Sequence, residues 1–355
     1  MRILIFIVLL SNFVLAQETT ITLTQKDSLN VDKIQQDKLQ RKDYLKKFKG
    51  QPKGAFKDVS ERFSASPESN YADNSENKVL GIEPGESSHN HTLRGPSQYD
   101  SRIEIFQLNK DSLWQNNIHI AQMSVGIVVD KKMLSKVSKD YYQLNINNTL
   151  GSLYNLCASV PFQNQPVVGV GTAFLIDKNR MITANHVFDK NIEHYAIVFD
   201  FFMSSENGVI NPLIKKENIY YPDKILKKKT ELDMAVFTTK KEVQRPSLKI
   251  SEDRILKKGT QVYSIGHPSG LPKKILLNAS VLENKHPYYF YTSLDSFQGN
   301  SGSPVLDFKT NKVIGVLVSG EIDYKFNGNC YTINICGRPK CKGEKVIKIE
   351  RVLND

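Results

Sequence analysis

Short apolar runs separated by turn residues fill the chain from about residue 98 onward. Gly171-Thr172-Ala173-Phe174-Leu175-Ile176 reads as a strand, Asp177 to Arg180 as a turn, and Met181-Ile182-Thr183-Ala184 as the returning strand. His186 lies just past that second run, where a loop or short helical turn presents it to a cleft. Glu231-Leu232-Asp233-Met234-Ala235-Val236-Phe237 sets an aspartate at the mouth of another apolar run. Tyr288 to Thr292 is rich in strand formers and leads into Asp295-Ser296-Phe297-Gln298-Gly299-Asn300-Ser301-Gly302-Ser303-Pro304.

This last segment holds a serine between glycines. A serine hydroxyl becomes a useful nucleophile when a base takes its proton and backbone N–H groups stabilise the oxyanion that forms. Gly299 lets the backbone turn so that its own N–H and that of Ser301 point at one spot. Gly302 and Pro304 steer the chain back into a strand. One Gly-x-Ser-Gly also occurs in plain turns, so its weight comes from His186 and Asp233 upstream. A carboxylate at the start of an apolar strand needs a partner, because burying an unpaired charge is costly. An imidazole N–H is a suitable one. The order His, Asp, Ser is one of the known triad orders.

Thr183-Ala184-Asn185-His186, Asp233-Met234-Ala235-Val236 and Gly299-Asn300-Ser301-Gly302-Ser303-Pro304 together resemble the trypsin-like serine peptidases of the chymotrypsin fold. The resemblance covers roughly residues 98 to 350 and is closer to the bacterial secreted branch that includes the staphylococcal V8-type glutamyl endopeptidases. It implies an all-β domain of two packed six-stranded antiparallel β-barrels, the first about residues 120–240 and the second about 241–345. The triad His186, Asp233 and Ser301 would lie in the crevice between them, with an oxyanion hole from the N–H groups of Gly299 and Ser301. A peptide would pair, extended, with the edge of the strand Val316 to Gly320.

Two departures from the animal trypsins stand out. Gly171 and Val187 occupy the places of a disulfide flanking the histidine. Asn300 stands where an aspartate pairs with a newly cut N-terminal amine during activation, so that ion pair cannot form here. The resemblance also assigns a substrate pocket to Asp295, Ser296, Gln298, Val318, Ser319 and Gly320. Asp295 lies six residues before Ser301, where trypsins keep the acid that selects Arg or Lys. Glutamate-specific relatives also carry an acid there and read the substrate carboxylate with a histidine on the strand after the nucleophile. Leu317 is the apparent counterpart of that histidine, which leans the expectation toward basic residues, with V8-like glutamyl specificity as the alternative.

Met1 to Leu10 is one basic residue followed by an apolar run, and Val14-Leu15-Ala16 offers a cleavage site. Residues 1–16 therefore read as a secretory signal peptide, which implies a secreted or periplasmic protein with no stable membrane insertion once the signal is removed. Residues 17–97 read as a propeptide or a linker. Val31 to Lys49 has Val31, Ile34, Leu39, Leu45 and Phe48 loosely on one helical face, and Gln51 to Gly95 is polar and expected to be flexible. Residues 98–355 are the expected peptidase domain. Arg94-Gly95 is a candidate cut site, and an intramolecular propeptide is a candidate partner beside protein or peptide substrates.

The formal charge is +11 over 355 residues. The excess falls in the catalytic part, with Lys215-Lys216 and Lys227-Lys228-Lys229 expected in loops. No nucleic-acid motif accompanies them, so a solvated lysine-rich surface is the preferred reading. Four cysteines, Cys157, Cys330, Cys336 and Cys341, suggest disulfides in an exported protein, with the pairing open. At least one is expected to pin the C-terminal loop, with Cys157 free or reaching across. Zinc is the weaker rival, since no Cys-x-x-Cys is present. His89 and His91 carry no metal expectation, and no cofactor is expected. Asn147-Asn148-Thr149 is a sequon that matters only in a glycosylating host. A chymotrypsin-fold binding protein without turnover and a quality-control protease with an added peptide-binding domain are the other classes considered. The complete triad argues against the first. The 54 residues after Ser301, needed to finish the second barrel, argue against the other.

Overall fold

The computed structural model describes residues 100–205, 210–253, 255–335 and 341–353. The signal, propeptide and His89/His91 readings, together with Cys336, lie outside these residues.

Two antiparallel sheets make up the body. The first is built from β2 (Val125–Asp130), β3 (Gly171–Leu175), β4 (Arg180–Ala184), β5 (Tyr195–Val198), β6 (Ile219–Tyr220), β7 (Pro222–Lys229) and β8 (Met234–Thr239). β1 (Arg102–Glu104) belongs to the other sheet. The strand order in the first sheet is β6-β5-β2-β3-β4-β8-β7. β6 and β7 are separated by Tyr221 alone, so the two ends of the sheet are one stretch of chain that bonds β5 on one side and β8 on the other. That shared stretch curls this sheet into a half-barrel. Phe174, Met181, Ile182, Ile197 and Phe237 in this sheet are all fully buried.

The second sheet contains β1, β9 (Gln261–Gly266), β10 (Lys274–Glu283), β11 (Tyr289–Thr292), β12 (Pro304–Asp307), β13 (Val313–Ser319) and β16 (Glu344–Lys348). Between β13 and β16 runs a hairpin of β14 (Tyr324–Phe326) and β15 (Tyr331–Ile333). The order β10-β9-β12-β13-β16-β11 closes because β11 also pairs with β10, and β1 is added at the outer edge of β10. Of the expected pair, the second sheet is a closed six-stranded barrel and the first a half-barrel. Most central strands are buried on both faces, as in β3 and β5, so apolar burial on either side of the strands holds the sheets together.

Three expectations about surface chemistry are corrected or completed. Lys227, Lys228 and Lys229 lie in strand β7, not in a loop. Lys227 and Lys229 donate through Nζ to the carbonyls of Leu353 (3.3 Å) and Arg351 (3.2 Å) in the closing helix, where cations are favourable. Lys215 ends a three-residue strand, also not a loop. Cys157 reaches across to Cys330, pinning the β14–β15 hairpin to the loop before β3. Cys341 is also disulfide-bonded. Among the described residues, no helix is long and apolar enough to cross a membrane.

Candidate active site

His186 and Asp233 meet because β4 and β8 are neighbours in register, with Ala184 opposite Met234. The chain leaves β4 in a single 3-10 turn, Asn185–Val187. Asp233 precedes β8 in the left-handed region, at φ +56°, a conformation that aspartate tolerates better than most residues. Three hydrogen bonds join the two turns. Asn185 N–H donates to the Asp233 carbonyl at 3.0 Å. His186 N–H donates to Asp233 Oδ1 at 2.9 Å, and ring Nδ1 pairs with Oδ2 at 2.6 Å. That last bond makes Nδ1 the protonated nitrogen and leaves Nε2 as the acceptor, as a general base requires. Asp233 is not deeply buried: its side chain is 32% exposed and that of His186 is 49% exposed.

Ser301 sits on a turn anchored to the first barrel. Thr172 in β3 donates its N–H to the Ser301 carbonyl at 2.9 Å and its hydroxyl to the Gly299 carbonyl at 2.9 Å. Gly302, at φ +89°, is pressed onto the same place. A Cβ there would lie 2.1 Å from Thr172 O, 2.4 Å from Thr183 Oγ1 and 2.9 Å from Ala184 N. The Ser301 turn thus touches the residue two before His186. Among the described residues, no hydrogen bond joins Ser301 Oγ to the His186 ring. Free active sites often hold this contact loose and tighten it around substrate.

The amides of the turn divide into two sets. Gln298 N–H donates to Asp323 Oδ2 at 2.8 Å. Asn300, Gly302 and Ser303 donate to Phe297 O, Leu317 O and Asn300 O. Gly299 N–H and Ser301 N–H have no acceptor among the described residues. Gly299 reaches this geometry at φ +89°, with His267 O 2.6 Å from where a Cβ would be. Two unspent donors beside a serine are the arrangement that receives a developing oxyanion.

A family model described as "Trypsin-like peptidase domain" matches residues 171–316, which run from β3 through His186, Asp233 and Ser301 into β13. Residues 171–316 therefore resemble a trypsin-like peptidase domain. Among solved structures, it is similar to the active form of the Rv3671c protease from M. tuberculosis at 15% identity. The match covers 76% of this chain and 89% of that one, with a TM-score of 0.40. The inactive form of Rv3671c protease matches at 15% identity over 67% of this chain and 89% of that one, with a TM-score of 0.40. A comparison with curated proteins gives no match.

Around the peptidase site, Val187 packs directly onto Gly171, with its Cγ1 2.6 Å from a Cβ placed there, so apolar contact occupies the place of the flanking disulfide. Asn300 is fully buried; its Nδ2 donates to Ser296 Oγ at 3.3 Å, and its Oδ1 has no partner. The edge open to an extended peptide is shorter than expected. The ladder to β12 ends at Val316, and Leu317 is spent on the nucleophile turn through its N–H to Ser303 O (3.0 Å) and its C=O from Gly302 (2.7 Å). Val318, Ser319 and Gly320 are what remains on that side.

Asp295 and Ser296 are both buried, and Gln298 is exposed. Asp295 Oδ2 accepts the Ser101 N–H at 2.6 Å, from the segment entering β1. The next residue, Arg102, has a fully buried side chain paired with Asp100 at 2.6 Å. Its guanidinium lies over Phe297 at 3.8 Å and over Phe162 at 4.9 Å, a favourable cation–π setting.

Two further acids were not singled out by the sequence. Asp323, half-buried in the loop before β14, is pushed up to about 7 by burial, against the Gln298 N–H and Arg102. Glu344 opens β16 and is 2% exposed. Burial holds its carboxyl well above the usual range, with Asp323 adding to the shift. The only sequence signal for either was an acid beside a run of strand formers, which most often marks a solvated strand end.

Proposed function

We propose that this peptidase is an exported endopeptidase in which Ser301 is the nucleophile, His186 the general base and Asp233 the residue that orients the imidazole. The observation that carries this reading is the His186–Asp233 pair on β4 and β8, set beside a serine turn that Thr172 holds down and whose two free amides belong to Gly299 and Ser301. An extended substrate lies along Val318 to Gly320. Ser301 Oγ attacks the scissile carbonyl carbon as His186 Nε2 takes its proton. Asp233 stabilises the imidazolium. The carbonyl oxygen becomes an oxyanion between the N–H groups of Gly299 and Ser301; each such donor contributes about 3 kcal/mol in comparable sites. His186 then gives its proton to the leaving amine. Water repeats the two steps on the acyl-enzyme and frees Ser301.

The reading includes cleavage after Arg or Lys, because the pocket side of the turn is acidic. It also includes export through residues 1–16, supported by disulfide bonding at Cys157, Cys330 and Cys341, which suits an oxidising compartment. Residues 17–97 are taken as a propeptide. The test is turnover of a protein substrate by Ser301→Ala and His186→Ala. Each is expected to lower kcat by several orders of magnitude. Near-normal turnover in a clean preparation of either variant overturns the assignment.

A further inference from the structure

The sequence points to Asp295 as the acid that reads the substrate side chain. The geometry gives that carboxylate another task, since its Oδ2 holds the Ser101 N–H at 2.6 Å. A different carboxyl lies against the strand edge that the substrate uses. Glu344 is the first residue of β16, opposite Thr292 in β11 and beside the end of β13. A Cβ on Gly320 would stand 1.9 Å from Glu344 Oε2 and 2.5 Å from Oε1. Only a glycine at 320 lets this carboxyl rest on the β13 edge, one residue beyond Ser319.

The partners of Glu344 are all neutral donors. The Ser296 hydroxyl bonds it, and the Glu321 N–H donates to Oε1 at 3.3 Å. Ser296 in turn accepts from Asn300, so the acid is tied to the turn that carries Ser301. Among the described residues, no Lys, Arg or His forms an ion pair with Glu344. The charged groups that act on it, Asp323 and Glu321, are of the same sign. A carboxyl that is 2% exposed and lacks a cation is costly to ionise. A positive side chain arriving from outside removes that cost.

We propose that Glu344 is the specificity-determining residue of this peptidase, receiving the ammonium or guanidinium of a Lys or Arg on the acyl side of the scissile bond. Asp295 is instead a structural residue that fastens the segment entering β1. An acidic substrate side chain would bring a further carboxylate beside Glu344, Asp323 and Glu321, which favours a basic one there. The proposal rests on Ser301 being the nucleophile.

The experiment uses the exported full chain and matched peptides that differ only in Arg, Lys, Leu or Glu before the scissile bond. Glu344→Gln should lower kcat/KM for the Arg and Lys peptides on the order of 100-fold, the usual cost of removing one partner of a buried charge pair. The Leu peptide should change by only a few-fold, and labelling of Ser301 by a fluorophosphonate should persist. Asp295→Asn should leave the Arg-to-Leu ratio unchanged. Benzamidine should inhibit cleavage of the Leu peptide by the native chain, and this measurement needs no variant to fold. An unchanged Arg-to-Leu ratio in Glu344→Gln overturns the proposal, as does a native preference for Leu or Glu, or indifference to benzamidine; in each case retained labelling leaves the nucleophile in place. Absence of labelling in the native chain overturns the underlying reading as well.

Discussion

Thr172 holds Ser301 from the opposite barrel: its N–H donates to the Ser301 carbonyl at 2.9 Å. Its hydroxyl donates to the Gly299 carbonyl at 2.9 Å and accepts the His267 N–H at 3.1 Å. One buried side chain in β3 therefore fixes both the nucleophile turn and the segment behind it. Thr172→Val keeps the shape and removes the hydroxyl. It leaves a buried carbonyl and a buried N–H unpaired, at a cost of about 2 kcal/mol in stability. Because the two proposed oxyanion donors sit on this turn, kcat should fall roughly 10-fold or more while KM changes little. Denaturant unfolding and steady-state kinetics check both parts.

Asp233 receives both the amide and the ring of His186. Asp233→Asn keeps the size but cannot accept from the ring N–H in the same way, so the imidazole is held in the wrong tautomer. The expected loss in kcat is about 10⁴-fold, with the melting temperature close to native. A collapse of folding in parallel with activity would make Asp233 a structural residue instead.

The site was legible where chemistry is local in sequence. His186, Asp233 and the Gly299–Pro304 turn each bring their own strand or turn, and short apolar runs mark β3, β4 and β8. Legibility failed where partners are distant. Nothing near Asp295 announces that Ser101, 194 residues away, takes up its carboxylate. Glu344 acquires its meaning from Gly320 and Ser296, which only the closed second barrel brings to it. The lysine-rich surface reading overlooked Lys273 and Lys274, both wholly buried. Lys273 donates to Gln122 at 2.7 and 3.1 Å, while Lys274 pairs with Glu104 at 2.9 Å. A Lys-Lys dipeptide carries no sign that it will be enclosed by polar acceptors from three other segments.

These buried groups give stability a definite pH dependence. Burial pushes Lys273 down to about 7 and Lys274 to about 8. A lysine depressed in the folded state contributes stability above its unfolded value, and that stability is lost as pH falls through the folded one. Burial raises Asp323 to about 7, so its contribution is present below the ordinary carboxylate range and is lost as pH rises through about 7. The melting temperature should therefore dip near neutrality and climb from pH 7 toward pH 10. Lys273→Met should flatten the climb, which thermal unfolding across that range measures.

The bridge Cys157–Cys330 spans 173 residues and ties the β14–β15 hairpin to the other barrel's loops. Replacing both cysteines by serine should lower stability by about 3 kcal/mol. The hairpin follows the Asp323 loop that holds Gln298 N–H. Loss of the bridge should therefore raise KM more than it lowers kcat, as peptide kinetics on the double variant will register.

The most direct measurement is stoichiometric reaction of the full chain with a fluorophosphonate, followed by mass mapping of the adduct. One phosphonyl group on Ser301 is expected, with its rate of attachment reduced by orders of magnitude in His186→Ala. Modification of another serine, or none on a folded and reduced-scatter sample, would contradict the account.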